Sequence, residues 1–207
     1  MNIVDLSQTI RNNMPVHPYD GPVQVIQDKE LARDKYNNTR IEAGMHAGTH
    51  VDAPRHFLDN PKYICDYNLE SFIGNGCLLD VRGEEIITLK DEYSGKVQTG
   101  DIVLLYTGQG PYFGKKGYYD GFENQPTMDL KLANFFIDKK IKLLGVDMAS
   151  PDNMPFKIHK ALLDQDIFIM ENLTNLDMLL AVPKFEVIAL PLKIEAEASI
   201  VRAIARY

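Results

Sequence analysis

The sequence predicts an α/β protein, one domain over residues 1–207, built on a mixed sheet flanked by helices. Three observations lead there. Short apolar runs rich in strand-forming residues recur at 76–81, 101–108, 143–147, 167–171 and 187–192. Helix-type patterns separate several of them, most clearly at 127–141. The early strands lack intervening helices, so the order is not the regular alternation of a doubly wound sheet. A chain of 207 residues buries a core without disulfides or a structural metal. A metal bound here is therefore expected to be catalytic.

Taken in order, residues 2–10 alternate as a strand does. Met14-Pro15-Val16-His17-Pro18-Tyr19-Asp20-Gly21-Pro22 puts three prolines into nine residues, which excludes a helix and predicts a fixed loop. Residues 23–27 read as a second strand, and 37–45 as a third that delivers a histidine-rich stretch. Leu58-Asp59-Asn60-Pro61 is a turn, and 68–73 a short helix. A buried strand at 76–81 precedes a helix at 86–93. The strand at 101–108 is closed by Gly108, and the 108–121 stretch reads as a loop rimming a pocket.

Thr127 is the expected N-cap of the best-patterned helix, with Asp129 in its first turn. Leu132, Phe135, Phe136 and Ile141 form its apolar stripe, and Lys139 and Lys140 suit its C-terminal end. A strand at 143–147, a short helix at 155–163 and a strand at 167–171 ending on Glu171 follow. The rest reads as a short helix at 174–180, a strand at 187–192 and one last strand or edge at 199–205.

Composition removes several function classes. Net charge is −7 and the basic residues are scattered, with only short pairs at Lys115-Lys116 and Lys139-Lys140, so no nucleic-acid partner is expected. No apolar run reaches the ~18 residues of a membrane span. Met-Asn-Ile-Val-Asp-Leu carries an acid, Asp5, where a signal peptide is basic and then apolar, which predicts a cytoplasmic protein. The two cysteines form no C-x-x-C, so reduced thiols are expected, with Cys77 in the core. There is no glycine-rich dinucleotide loop, no P-loop and no G-x-S-x-G.

The chemistry gathers at 44–57. His46, His50 and His56 are three of the five histidines, and Asp52 lies between the last two. Imidazole nitrogen and carboxylate oxygen are the ligands that zinc and similar divalent metals use in catalytic sites. Gly48 and Pro54 exclude a regular helix as their container. In an extended segment, His50 and Asp52 point to one face. Two later residues are further candidates: His159 on the 155–163 helix, and Glu171 at the end of a buried strand. Taken singly, His159 reads more readily as a packed helix residue, and Glu171 equally as a cap.

His46-Ala47-Gly48-Thr49-His50-Val51-Asp52-Ala53-Pro54-Arg55-His56 reads H-x-G-T-H-x-D-x-P-x-H without a break. With it the chain resembles the cyclase family of metal-dependent hydrolases, which includes bacterial kynurenine formamidases and isatin hydrolases. Asp5-Leu6-Ser7, Gly145-Val146-Asp147, Ser150-Pro151-Asp152, Glu171-Asn172-Leu173 and Leu190-Pro191-Leu192-Lys193 extend the resemblance over nearly the whole chain. The resemblance implies a swivelling β/β/α fold with a barrel-like core, assembled as a homodimer or homotetramer. It implies one or two Zn2+ per subunit, with Mn2+ an alternative. His46, His50 and Asp52 would hold the first metal, and His159 and Glu171 would complete the site. In a two-metal member Asp52 and Glu171 would bridge. His56 would be the proton shuttle.

Two departures from the family pattern stand out. Family formamidases carry an aromatic, usually Trp, in a segment like Pro-Val-Trp-Pro, whereas this chain has Pro15-Val16-His17-Pro18 and no tryptophan. His17 is therefore the candidate substrate-binding residue, stacking more weakly than an indole. Glu195-Ala196-Glu197-Ala198-Ser199 also lacks the glycines usual before the last strand, which predicts an altered turn.

The favoured function is hydrolysis of a small amide by metal-activated water, most like an arylformamidase. That activity turns N-formylkynurenine into kynurenine and formate, a step of tryptophan catabolism. The runner-up is hydrolysis of a cyclic amide such as isatin, or of another small carboxylate-bearing substrate. Two readings of other classes are a metal-binding module without turnover and a cysteine enzyme using Cys65. His56 argues against the module, since binding alone does not need a proton shuttle.

Overall fold

The computed structural model describes residues 1–115, 117–119 and 124–207. Along the chain run β1 (Ile3–Asp5), β2 (Gln24–Lys29), β3 (Asn38–Glu42), β4 (His50–Asp52), β5 (Ile73–Asp80), β6 (Ile86–Ile87) and β7 (Ile102–Tyr106). They are followed by β8 (Thr127–Met128), β9 (Leu143–Val146), β10 (Phe168–Glu171), β11 (Glu186–Ile188), β12 (Ala198–Ile200) and β13 (Ile204–Arg206). The helices are α1 (Leu31–Asp34), α2 (Tyr93–Lys96), α3 (Leu130–Lys139) and α4 (Lys157–Leu163).

Nine strands share one mixed sheet, in the order β1, β13, β11, β5, β7, β9, β10, β4, β12. Its middle is parallel, from β5 through β7 and β9 to β10, and both flanks are antiparallel. β12 and β13 lie far apart in that order although only residues 201–203 separate them. Leu6 N donates to Ala203 O at 2.9 Å, and Val201 N donates to Thr49 O at 3.0 Å. The last strand segment thus touches both ends of the sheet and curls it into a half-barrel. The expected mixed sheet with a barrel-like core is the observed one.

Period-two alternation in the sheet builds two cores. Ile102, Leu104 and Tyr106 of β7 and Phe168 and Met170 of β10 point into the half-barrel, with Val51 and Phe72. Val103, Leu105, Leu144, Val146 and Ile169 point the other way, against Leu132 and Phe136 of α3 and Ile158, Leu162 and Leu163 of α4. Strands covered on both faces read as continuous apolar runs, which is why they were visible in the sequence.

Four local expectations differ. The 86–93 segment is no helix: Ile86 and Ile87 pair in parallel with Thr127 and Met128, as β-branched residues favour, and the helix is confined to α2. That pairing also takes Thr127 out of capping. Its N–H donates to Glu85 O, and Asp129 is the N-cap, accepting from Leu132 N at 2.7 Å. The single final strand is two, β12 and β13. Cys77 is half-buried at the edge of the helix-side core, its thiol near Lys96 O. Of the 108–121 loop, Gly110–Tyr112 forms a 3-10 turn, while residues 116, 120 and 121 lie outside the described ones. No described helix is long and apolar enough to cross a membrane.

Candidate metal centre and its pocket

Strand pairing assembles the site. β4 lies between β10 and β12, with Asp52 opposite Ile169 and His50 opposite Glu171. Paired residues share a face, so His50, Asp52 and Glu171 all stand on the helix-bearing side with Ile169. There α4, which packs on the same core, brings in His159. Val51, between the two ligand candidates, goes into the half-barrel and is fully buried.

The turn before β4 aims His46. Gly48 has φ +67, a left-handed conformation that side chains resist, and a Cβ there would lie 2.9 Å from Ile10 Cδ1. The Gly48 carbonyl accepts from Asn172 Nδ2 at 3.2 Å and faces His50 Nδ1 at 2.9 Å. Thr49 Oγ1 donates to Asn172 O at 2.7 Å and accepts from Gln8 N at 2.8 Å. After β4, Pro54 opens a 3-10 turn over Pro54–His56, where its missing N–H is harmless. This turn sets the His56 ring 4.3 Å from that of His46, centroid to centroid.

Five of the candidate residues converge. His46 Nδ1 is 3.0 Å from Asp52 Oδ1, and His50 Nε2 is 3.6 Å from the same oxygen and 3.4 Å from Glu171 Oε2. His159 Nε2 is 3.2 Å from Glu171 Oε1 and 3.8 Å from Asp52 Oδ2. Two ligand groups result, one of His46, His50 and Asp52 and one of Asp52, His159 and Glu171. Donors bound at 2.0–2.2 Å to one centre stand roughly 3.0–3.6 Å apart, close to the spacings observed. His50 Nε2 and both carboxylate oxygens of Asp52 are buried without a hydrogen bond. Unpartnered buried polar atoms are costly, and a cation between them would satisfy all three. The donor set fits a divalent metal.

Each of the three imidazoles is held from behind. His50 Nδ1 faces the Gly48 carbonyl, His159 Nδ1 lies 2.5 Å from Asp152 Oδ1, and His46 Nε2 lies 3.2 Å from Glu197 Oε1. The charges in this buried nest reshape the titrations. Burial works against a His46 cation, but Asp52 and Glu197 outweigh it and push its pKa up to about 11. Burial likewise opposes a His159 cation, and Asp152 and Glu171 overcome it, raising its pKa to about 10. Burial disfavours charge on Asp52 and Glu171 too, yet the surrounding imidazoles hold both carboxyls below the ordinary range. His56 goes the other way: burial pushes its pKa down.

A pocket of about 170 Å³ opens over the cluster. His17 stands on its wall, 5.3 Å from the Tyr19 ring and 6.5 Å from Tyr119, with Asp20, Phe57, Ser150 and Phe156 also lining it. Among the described residues the lining includes no Lys or Arg. Cys65 is not part of it. Its thiol lies near Asp66, with Sγ 4.0 Å from Oδ1. Sequence reasoning missed Glu197, Asp20, Tyr119 and the supporting place of Asp152. The one available signal was Asp152, an acid seven residues before a candidate histidine.

A family model described as "Putative cyclase" matches residues 4–153. A kynurenine formamidase of Bacillus cereus is 33% identical over 209 residues, covering 98% of this chain and 96% of that protein. One of Bacillus anthracis is 32% identical, with the same coverage. Among solved structures, isatin hydrolase A from Ralstonia solanacearum superposes with a TM-score of 0.86 at 21% identity, over 99% of this chain and 91% of its own. That likeness bears on the fold.

Proposed function

Because the chain belongs to the cyclase family, we propose that it is a metal-dependent hydrolase of a small amide, most like an arylformamidase acting on N-formylkynurenine. The observation that carries this reading is the set of three buried donor atoms without a hydrogen bond on His50 and Asp52, beneath a pocket lined by His50, His56, His159 and Glu171. His46, His50, Asp52, His159 and Glu171 would hold one divalent cation, or two sharing Asp52, with Zn2+ or Mn2+ suited to the nitrogen and oxygen donors. Such a cation supplies Lewis acidity, lowering the pKa of water from ~15.7 towards ~7 and polarising an amide carbonyl.

The chain's own residues do the rest. His56 is kept neutral by burial, so its imidazole can take the proton of the attacking water. The same ring returns it to the amide nitrogen as the C–N bond breaks, giving a neutral amine and a carboxylic acid. Phe57 and Phe156, 4.8 Å apart between centroids, wall the site with apolar surface and limit its water. His17 stands where an aryl substrate would lie, with Tyr119 beside it. The protein would work as a cytoplasmic homodimer or homotetramer.

The compact pocket without a described Lys or Arg favours a second reading, hydrolysis of a neutral cyclic amide such as isatin. A substrate panel separates the two. Metal-loaded protein is assayed on N-formylkynurenine, N-formylaniline, isatin and a lactone. Formamide cleavage exceeding ring opening supports the first reading, and the reverse supports the second. Turnover of none of them, with metal verified by elemental analysis, overturns both.

A further inference from the structure

Glu197 lies in the stretch whose missing glycines set this chain apart from its family pattern, and its side chain reaches into the site from 151 residues away. Its backbone is fixed: Ala53 N donates to Glu197 O, and Ile64 N donates to Ala196 O, each at 2.9 Å. The segment is therefore tied to the residue that follows Asp52. From this position Glu197 Oε1 meets His46 Nε2, while His46 Nδ1 faces Asp52.

The other two imidazoles of the cluster already have buried acceptors behind them, the Gly48 carbonyl and Asp152. His46 sits on a turn and is the most exposed of the three, with 19% of its side chain accessible. A neutral imidazole can ligate only through the nitrogen without a proton. An acceptor on the far nitrogen decides which one that is and stops the ring from rotating.

We propose that Glu197 is a positioning residue for the metal centre. It accepts the Nε2–H of His46 and so leaves Nδ1, on the Asp52 side, as the nitrogen that gives up its proton to ligate a cation. The inference rests on the metal-centre part of the reading above and not on the substrate. A surface ion pair of little consequence is the competing view, since 40% of the Glu197 side chain is exposed. The two views differ in what glutamine does. Its carbonyl oxygen still accepts from Nε2–H, although it carries no charge.

Metal-free full-length protein, its Glu197→Ala variant and its Glu197→Gln variant are titrated with Co2+ and with Zn2+ near neutral pH. Truncation to alanine is expected to weaken binding about 10–100-fold, with glutamine recovering most of the loss. In the Zn2+-loaded protein, nitrogen NMR of His46 should report the Nε2–H form in wild type and Glu197→Gln, and a broadened or exchanging ring in Glu197→Ala. The side chain is half-exposed, so the variants should fold, and matching thermal melts of the metal-free forms check this. If alanine folds poorly, glutamine carries the test through its NMR signature. Wild-type affinity in Glu197→Ala, or glutamine as weak as alanine, overturns the proposal. Failure of wild type to bind either ion overturns it together with the metal-centre reading, whereas failure on amide substrates alone leaves it standing.

Discussion

Metal should have to displace protons to enter this site. In the metal-free protein His46 holds its proton up to about 11 and His159 up to about 10, because the Asp52, Glu171, Asp152 and Glu197 carboxylates outweigh burial. Both rings are then cations throughout the neutral range, and both must be neutral to ligate. Binding that uses both releases two protons, so apparent affinity rises about 100-fold per pH unit between roughly pH 7 and 9. Binding at the His46 group alone releases one proton, for about tenfold per unit. Calorimetric titration in buffers of different ionisation enthalpy counts the protons directly. His159→Ala should lower the count by one relative to wild type if both rings take part. No proton release, with affinity flat in pH, would refute the reasoning: the rings would then be neutral beforehand or would not be ligands.

Three further outcomes follow from the geometry. His56→Ala should keep wild-type metal content and lose about 10²–10⁴-fold in kcat; loss of metal in elemental analysis would make His56 a ligand instead. The metal-free protein should be most stable at mildly acidic pH. The raised His46 and His159 values give stability that is present below about 6.5 and declines as pH rises towards 10–11, while the lowered Asp52 and Glu171 values give stability lost as pH falls below about 4. Thermal melts across pH, with and without Zn2+, test this, and saturating metal should move the optimum upward. Gly48→Ala should lower stability by about 1–2 kcal/mol through its left-handed backbone, read from denaturant melts.

How much could be read from the sequence depended on the distance over which each residue's partner is found. The strands at 101–108, 143–147 and 167–171 were legible because burial on both faces writes an apolar run that needs no knowledge of the neighbour. The motif from His46 to His56 was legible because its donor types are unusual together. The 86–93 segment was not, because its state is decided by pairing with Thr127 and Met128, some 40 residues away. The split of the last strand was hidden for a related reason: one segment serves both ends of a curled sheet. The 195–199 stretch stood out only for its missing glycines; the place of Glu197 was hidden, since an acid in an acidic chain is ordinary until the fold sets it behind His46. Asp152 was nearer to legible, but its role depends on the entry to α4, where it also accepts from Ile158 N.

The two halves of the centre meet through a single strand register. Asp52 belongs to both ligand groups, and it reaches the second only because β4 pairs with β10 so that Asp52 faces Ile169 and His50 faces Glu171. A slip of one residue would turn His50 and Asp52 into the half-barrel and push Val51 out beside α4. Apolar burial opposes that slip: Val51 and Ala53 are fully enclosed in the half-barrel core. So do the Thr49 and Asn172 bonds across the strand ends, one from the Thr49 hydroxyl and one to the Gly48 carbonyl. Val51, Ala53, Thr49 and Asn172 are not among the candidate donors, yet they decide whether those donors face one another. Two charged carboxylates buried within one nest repel, and without a cation the nest must be filled by protons on His46 and His159. The sheet therefore supplies the geometry in advance, and packing in the half-barrel offsets the electrostatic strain of holding Asp52 and Glu171 together.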